Sequence, residues 1–236
     1  MLILKNITIS VENTITVEQF NLSLAAGSLH LLSGPNGSGK SSVVQLLLGN
    51  PIYKLNAGSV MFKGHDLMAL KPHERVQNGL FIVQQEAVEI PGLAVLSFLK
   101  AAYDALGCPK QDTVAFVTMV KDVLKKVGLD ESFMERSINQ GFSGGQKKRF
   151  ELAQLLLFKP SCIIFDEIDA GLDVDGQQLF INILHELHAS GQVAIVCISH
   201  NRQLFSSFND LTVHHIGATL DNFSDASGSV HNQVGI

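Results

Sequence analysis

Residues 34 to 42 read GPNGSGKSS, and their spacing fits G-x-x-x-x-G-K-S at Gly34, Gly39, Lys40 and Ser41. The chemistry that suits this spacing is the holding of phosphates. Glycines let the backbone of Gly34, Pro35, Asn36, Gly37, Ser38 and Gly39 curl until its N–H groups point inward at phosphate oxygens. A helix that starts here adds the positive end of its dipole. Lys40 is placed to reach β- and γ-phosphates, Ser41 to give a hydroxyl to Mg²⁺, and Ser42 to open the helix. The plainer reading is a glycine-rich turn between a strand and a helix. The strand–loop–helix setting favours a phosphate loop for a nucleoside triphosphate such as ATP.

Two further stretches have chemistry of their own. Phe165-Asp166-Glu167 ends an apolar run. A carboxylate at the C-terminal tip of a parallel strand faces the ligand crevice. Beside a phosphate loop, Asp166 is expected to hold Mg²⁺, and Glu167 to orient or deprotonate the attacking water. The plainer reading is a strand that ends in acidic turn residues. Phe142-Ser143-Gly144-Gly145-Gln146 is a second glycine-rich helix start. Ser143 is a good N-cap, and Gly144 and Gly145 let backbone N–H groups come close to an anion. The chain already has one phosphate cradle, so this one is expected to grip another ATP across a dimer. An ordinary capped helix with a flexible entrance is the alternative.

The elements that must position these residues are legible as periodicities. Residues 2–10 and 14–24 alternate apolar and polar around Glu12-Asn13, predicting a strand pair with one wet face. Residues 28–33 predict the strand that feeds the phosphate loop, and 42–48 the helix after it. Short strands are predicted at 59–63 and 80–83, the latter ending at Gln84-Gln85. From about 96 to 136 the pattern turns helical. Leu96, Leu99, Tyr103 and Leu106 recur at threes and fours, as do Phe116, Val120, Val123, Leu124 and Val127. Gly107-Cys108-Pro109 separates the two runs. A helix over 145–158, a strand over 162–165, a helix over 174–189 and strands over 193–198 and 211–216 follow. Strands alternating with helices imply an α/β fold: a mostly parallel sheet core, an antiparallel β edge and a helical subdomain. The expected organisation is one domain, with its core at about 1–85 and 143–216, a helical subdomain at about 86–142 and a polar tail at 217–236.

Bulk properties exclude several classes. The 236 residues carry a net charge of −5 with no basic stripe, so nucleic acid is not an expected partner. No run of 18 apolar residues occurs, which argues against direct membrane insertion. The N-terminal MLILKNITIS reads as a strand and not as a signal peptide. Cys108, Cys162 and Cys197 are far apart, which suits a reducing, cytoplasmic compartment and gives no metal-ligand spacing.

The set GPNGSGKSS, Gln85, FSGGQ, IIFDE, Gly171-Leu172-Asp173 and His200 resembles the ATP-binding subunits of the ABC superfamily, in the family's order, over residues 1 to about 216. The resemblance implies an ABC-type phosphate-loop ATPase with ATP and Mg²⁺ as cofactors, two copies closing head to tail around two ATP molecules. It assigns Gln85 to sensing Mg²⁺ and the attacking water. Ser143, Gly144 and Gly145 would touch the γ-phosphate bound to the partner copy. Asp173 would couple the two sites, and His200 would contact the γ-phosphate and support Glu167. One departure concerns the base: ABC subunits usually stack an aromatic on adenine from a loop near residues 11–13, which here reads Val11-Glu12-Asn13.

Within the superfamily, Val88-Glu89-Ile90-Pro91-Gly92, Phe98-Leu99-Lys100-Ala101-Ala102-Tyr103 and the run from Asp166 to Asp173 resemble SufC-type ATPases of iron–sulfur cluster assembly. Gln146 and Ala170 are mild departures, and residues 221–236 do not resemble that family's terminus. The resemblance implies soluble SufB–SufD-type scaffold proteins as partners, gripped through the Pro-Gly elbow after Gln85. A transporter's ATP-binding subunit is the rival reading, although Glu167-Ile168-Asp169-Ala170 is unlike the EPTS-type stretch those subunits prefer. His185 and His188, one helical turn apart, are discounted as a metal pair, and His214 and His215 point to opposite faces of a strand. Lys147, Lys148 and Arg149 are expected to face ATP, a neighbouring acidic group or solvent.

Overall fold

The computed structural model of the protein describes residues 1–85, 87–168 and 172–217. Glu86, Asp169, Ala170, Gly171 and the expected tail beyond 217 lie outside the described residues. The chain opens with β1 (Leu2–Val11) and β2 (Thr14–Leu24), an antiparallel pair. Glu12 and Asn13 both take positive φ, 48° and 72°. That twist matches a two-residue hairpin, and Asn is among the residues that tolerate it best. The fold then runs through β3 (Leu29–Ser33), α1 (Lys40–Leu48), β4 (Tyr53–Phe62), β5 (His65–Asp66), α2 (Pro72–Gln77) and β6 (Leu80–Val83). β4 is twice the length expected from sequence. Its first half alternates half-buried Tyr53 and Leu55 with exposed Lys54 and Asn56, and it forms because β1 supplies a pairing partner. The alternation there is short and only half-buried, a weak strand signal without its partner.

The helical segment holds β7 (Ile90–Ala94), α3 (Val95–Ala105), α4 (Thr113–Lys126) and β8 (Ser137–Ile138). Leu99, Val120 and Leu124 are fully buried, and Tyr103 meets Phe116 edge-on with ring centroids 5.3 Å apart. The chain returns through α5 (Gly144–Phe158), β9 (Cys162–Asp166), α6 (Val174–Ala189), β10 (Ala194–Ile198) and β11 (Thr212–His215).

Five parallel strands form the central sheet in the order β11-β3-β10-β9-β6. The antiparallel sheet, ordered β2-β1-β4-β5, makes a second layer. Alternate residues of each central strand enter two different cores. Leu31, Ile163, Phe165 and Ile195 join the side built with α3 to α6. Leu32, Cys162, Ile164 and Val196 join the side built with α1 and the antiparallel sheet. Burial on both faces is why these strands read as unbroken apolar runs.

One polar pair sits inside this packing. His30 of β3, 6% exposed, places Nδ1 2.8 Å from Nε2 of His214 on β11, and its own Nε2 lies 2.9 Å from Ser28 Oγ. His215, the next residue, is exposed, so the two adjacent histidines do face opposite ways. Burial first, and His214 second, lower the His30 pKa from 6.5 to about 4. Burial and His215 also lower that of His214. The native pair is therefore neutral where the unfolded chain already takes up protons. Its contribution is fully present above pH 6.5 and is lost as pH falls towards 4. Asp166 and Glu151, whose carboxyls are pushed up to about 6 and about 7, act in the opposite sense over the same range. The informative quantity is thus a difference between variants. His30→Gln should gain on the native chain by on the order of 2 kcal/mol between pH 7.5 and pH 5. Urea unfolding at the two pH values checks it, and an unchanged gap would exclude this pair as an acid-labile element.

Candidate functional site

The parallel register brings the chemistry-bearing residues to one edge. Ile198 is level with both Leu32 and Asp166, Val83 with Phe165, and His215 with Ser33. The C-terminal ends of all five strands therefore open on the same side. They lead into the phosphate loop, Ser199-His200, Glu167, Gln84-Gln85 and Ile216-Gly217. In an open α/β sheet this edge is where ligands bind.

The loop from Gly34 to Gly39 is curled as a cradle. Gly37 and Gly39 take φ of +80° and +99°, and Gly39 is the N-cap of α1. A methyl on Gly39 would stand 2.4 Å from Val17 Cγ2 and 2.6 Å from the Thr16 carbonyl, so β2 is the loop's outer wall. On the other side a methyl on Gly34 would meet the Ile216 carbonyl at 2.5 Å, and one on Gly217 would meet Ser38 Cβ at 2.6 Å. The loop is thus wedged between the first hairpin and the residues after β11. Pro35, Asn36, Gly37 and Ser41 remain exposed. Lys40 is 5% exposed, and its Nζ donates to the Gly34 and Pro35 carbonyls at 2.8 and 3.0 Å. Ser38 Oγ is buried without a hydrogen-bond partner among the described residues. A buried polar atom in that state commonly awaits a ligand or a water.

Asp166 and Glu167 are consecutive but serve different neighbours. Asp166 is 8% exposed. Burial and then Glu167 push its carboxyl up to about 6, while Lys40 pulls the other way. A buried carboxylate beside a second acid is stabilised by a cation. Its carboxylate and the exposed hydroxyl of Ser41 are hard oxygen donors, the ligand type that suits Mg²⁺. Glu167 has φ of 53°, an unusual value for a non-glycine residue, and its N–H donates to the Ile198 carbonyl at 3.0 Å. That turn carries its side chain to within 3.7 Å of His200 Nε2. Ser199, 2% exposed, accepts from the Asn201 N–H through Oγ at 2.9 Å and shapes the turn that presents His200. Gln85, two residues past β6, is exposed at the same edge.

Ser143 starts α5 with a reciprocal cap: its Oγ accepts from the Gln146 N–H at 3.3 Å, and Gln146 Oε1 accepts from the Ser143 N–H at 2.9 Å. Among the described residues, Gly144 and Gly145 have no atom within 4 Å of where a methyl would stand, and neither needs a positive φ. Neither glycine is required by contacts among the described residues. Asp173 caps α6, accepting from the Gly176 N–H at 2.8 Å.

Other sequence features resolve into contacts. His185 stacks on Phe208 with centroids 4.0 Å apart, and His188 lies 2.9 Å from an Asp210 carboxylate oxygen, so both dock α6 on the segment after His200. Lys147 pairs with Glu89 at 2.6 Å, Lys148 donates to the Ile168 carbonyl at 2.6 Å, and Arg149 to that of Val127 at 2.9 Å. Sequence reasoning missed Thr16, Val17, Ile216 and Gly217 as walls of the loop. Only the glycine after the last strand signalled a close approach there.

Fold and site together define a phosphate-loop ATPase. Residues 17–170 match the family described as ABC transporter. A probable ATP-dependent transporter of Synechocystis sp. is 38% identical over 225 residues, covering 94% of this chain and 86% of the relative. One from Cyanophora paradoxa is 37% identical over 204 residues, covering 85% and 78%. Among solved structures, a bacterial ABC transporter cassette in dimeric form shares the fold with a TM-score of 0.77 at 23% identity, over 92% of this chain and 95% of that one. A dimeric post-hydrolysis state bound to ADP and Pi gives 0.77 at 21%, over 92% and 97%. The chain belongs to the ABC transporter family. It is an ATPase cassette of that family, acting on ATP with Mg²⁺. No helix among the described residues is long and apolar enough to cross a membrane.

Proposed function

We propose that the chain is the ATP-hydrolysing subunit of a cytoplasmic SufC-type iron–sulfur assembly machine, an ATP-dependent self-dimer acting on a SufB–SufD-type scaffold. The observation that carries this reading is the segment after Gln85. Its sequence resembles the SufC-type stretch, and it is displayed: Val88 is 70% exposed and Ile90 39%, beside an exposed Pro91-Gly92 elbow. Apolar side chains held out on a loop suit a protein partner. The open backbone at Gly144 and Gly145 supports the self-dimer, because an approaching triphosphate needs the space a side chain would fill.

In this mechanism the N–H groups of residues 34–39 and the Lys40 ammonium hold the phosphates. Ser41, Gln85 and Asp166 would hold Mg²⁺, which supplies charge neutralisation at the β- and γ-oxygens. Glu167 accepts a proton from the water that attacks the γ-phosphorus as the bond to the bridging oxygen breaks, and ADP leaves with that electron pair. His200 orients Glu167 and contacts the γ-phosphate. Ser143, Gly144 and Gly145 close on the ATP of the second copy, and Asp173 links the two sites. Iron and sulfide are cargo of the scaffold. The two relatives are named as probable ATP-dependent transporters, and a transporter's ATP-binding subunit is the second reading.

The test is a pull-down from source-cell lysate with tagged Glu167→Gln protein, ATP and Mg²⁺. Soluble partners carrying iron and sulfide are expected. A polytopic membrane protein in their place would overturn the assembly role in favour of the transporter.

A further inference from the structure

We infer that Asn139 is a positioning residue: with the Glu89–Lys147 ion pair, it latches the segment after Gln85 to the loop and helix that carry Ser143. This rests on the reading that Ser143 to Gly145 grip the ATP of a second copy. Asn139 Nδ2 donates to the Val88 carbonyl at 2.7 Å. Lys147, in the first turn of α5, pairs with Glu89 at 2.6 Å. Two consecutive residues of the elbow are thus tied on either side of Ser143, one to the loop before it and one to the helix after it. The pairing of Ile90 with Ile138 and the Gly92 N–H to Ser137 Oγ bond, 3.1 Å, continue the seam.

Asn139 carries two local costs. It is 5% exposed with φ of 58°, and its Oδ1 is buried without a hydrogen-bond partner among the described residues. A glycine would avoid both the left-handed strain and the unpaired oxygen. A glycine would fit the same backbone but would leave the Val88 carbonyl without this donor. What it alone supplies is the tie to Val88. The Glu89–Lys147 pair is exposed, and such pairs add little to stability. Both links thus serve geometry: a partner that shifts Val88 and Ile90, or a movement of Gln85, carries Ser143 with it. Costs concentrated at one residue beside a site are a pointer to such a role.

The experiment compares Asn139→Gly, Glu89→Lys, Lys147→Glu and the charge-swapped double variant, each in Glu167→Gln protein with ATP and Mg²⁺. Light scattering reads self-association, and a fluorescent ATP analogue reads binding to the monomer. The expected result is association weakened on the order of tenfold in Asn139→Gly and both single charge variants, within the usual range of coupling between sites. Nucleotide binding and melting temperature stay as in the parent, and the charge swap restores association. A merely structural role would lower melting and nucleotide binding together, which would overturn the latch. Parent-like association in Asn139→Gly and the charge variants would also overturn it. If Asn139→Gly does not fold, the charge series decides alone. Ser143→Ala is the control. If it associates like the parent, the grip itself fails, which is distinct from a weakened Ser143→Ala beside an unaffected Asn139→Gly.

Discussion

Glu167→Gln is expected to bind ATP as the native chain does and to hydrolyse it roughly 10²–10⁴-fold more slowly, the usual contribution of a positioned base. The substitution keeps the shape of the side chain and removes its capacity to take a proton. The turn should survive, because the bond from residue 167 to the Ile198 carbonyl is made by the main chain at 3.0 Å. The contact with His200 Nε2, 3.7 Å in the native chain, loses its charge but not its neighbour. A second effect follows at Asp166. Glu167 is the group that raises its pKa, after burial itself, while Lys40 lowers it. Removing that negative charge lowers the Asp166 pKa and favours its ionised form, so Mg²⁺–ATP should be held at least as well. Single-turnover hydrolysis together with nucleotide titration separates the two effects. Native-like hydrolysis would rule Glu167 out as the base.

Gly39→Ala is expected to weaken nucleotide binding by about 100-fold or more, whereas Gly37→Ala should cost about tenfold. Both glycines are left-handed, with φ of +99° and +80°, so an alanine at either is strained by roughly 1–2 kcal/mol. Their surroundings differ. Nothing among the described residues lies within 4 Å of a methyl at Gly37. At Gly39 the methyl meets Val17 Cγ2 at 2.4 Å and the Thr16 carbonyl at 2.6 Å. The side chain can turn away, but the carbonyl belongs to a paired strand, so the loop itself must move. A displacement of about 1 Å in groups that position a reactant can cost about 10²-fold. Titration of both variants with a fluorescent ATP analogue tests the contrast. Equal losses would show that strain, and not the wall formed by β2, sets the requirement.

Much of this fold is written in local pattern. The hairpin around Glu12-Asn13 follows from turn chemistry flanked by alternating apolar residues, and Val174–Ala189 is helical where the periodicity puts it. The central strands are legible because burial on both faces leaves continuous apolar runs. The phosphate loop and the Phe165-Asp166-Glu167 edge are legible because close packing and charge each need particular residue types at fixed spacing. What stays hidden depends on partners far along the chain. The outer half of β4 carries only a short, half-buried alternation and exists because β1 pairs with it. His30 and His214 are 184 residues apart and meet only when β11 joins β3. The turn at Glu167 has no glycine to announce its positive φ, and the link from Asn139 to Val88 spans 51 residues.

Gly34 shows how such a long-range contact fixes a motif residue. Its φ is not left-handed, and its side is closed chiefly by the carbonyl of Ile216, 2.5 Å from where a methyl would stand. The obstacle is main chain, present whatever residue occupies position 216. A genetic screen that scored position 34 as intolerant would therefore be reporting sheet closure as well as nucleotide chemistry. Replacement of the Ile216 side chain would offer such a mutant no second-site relief.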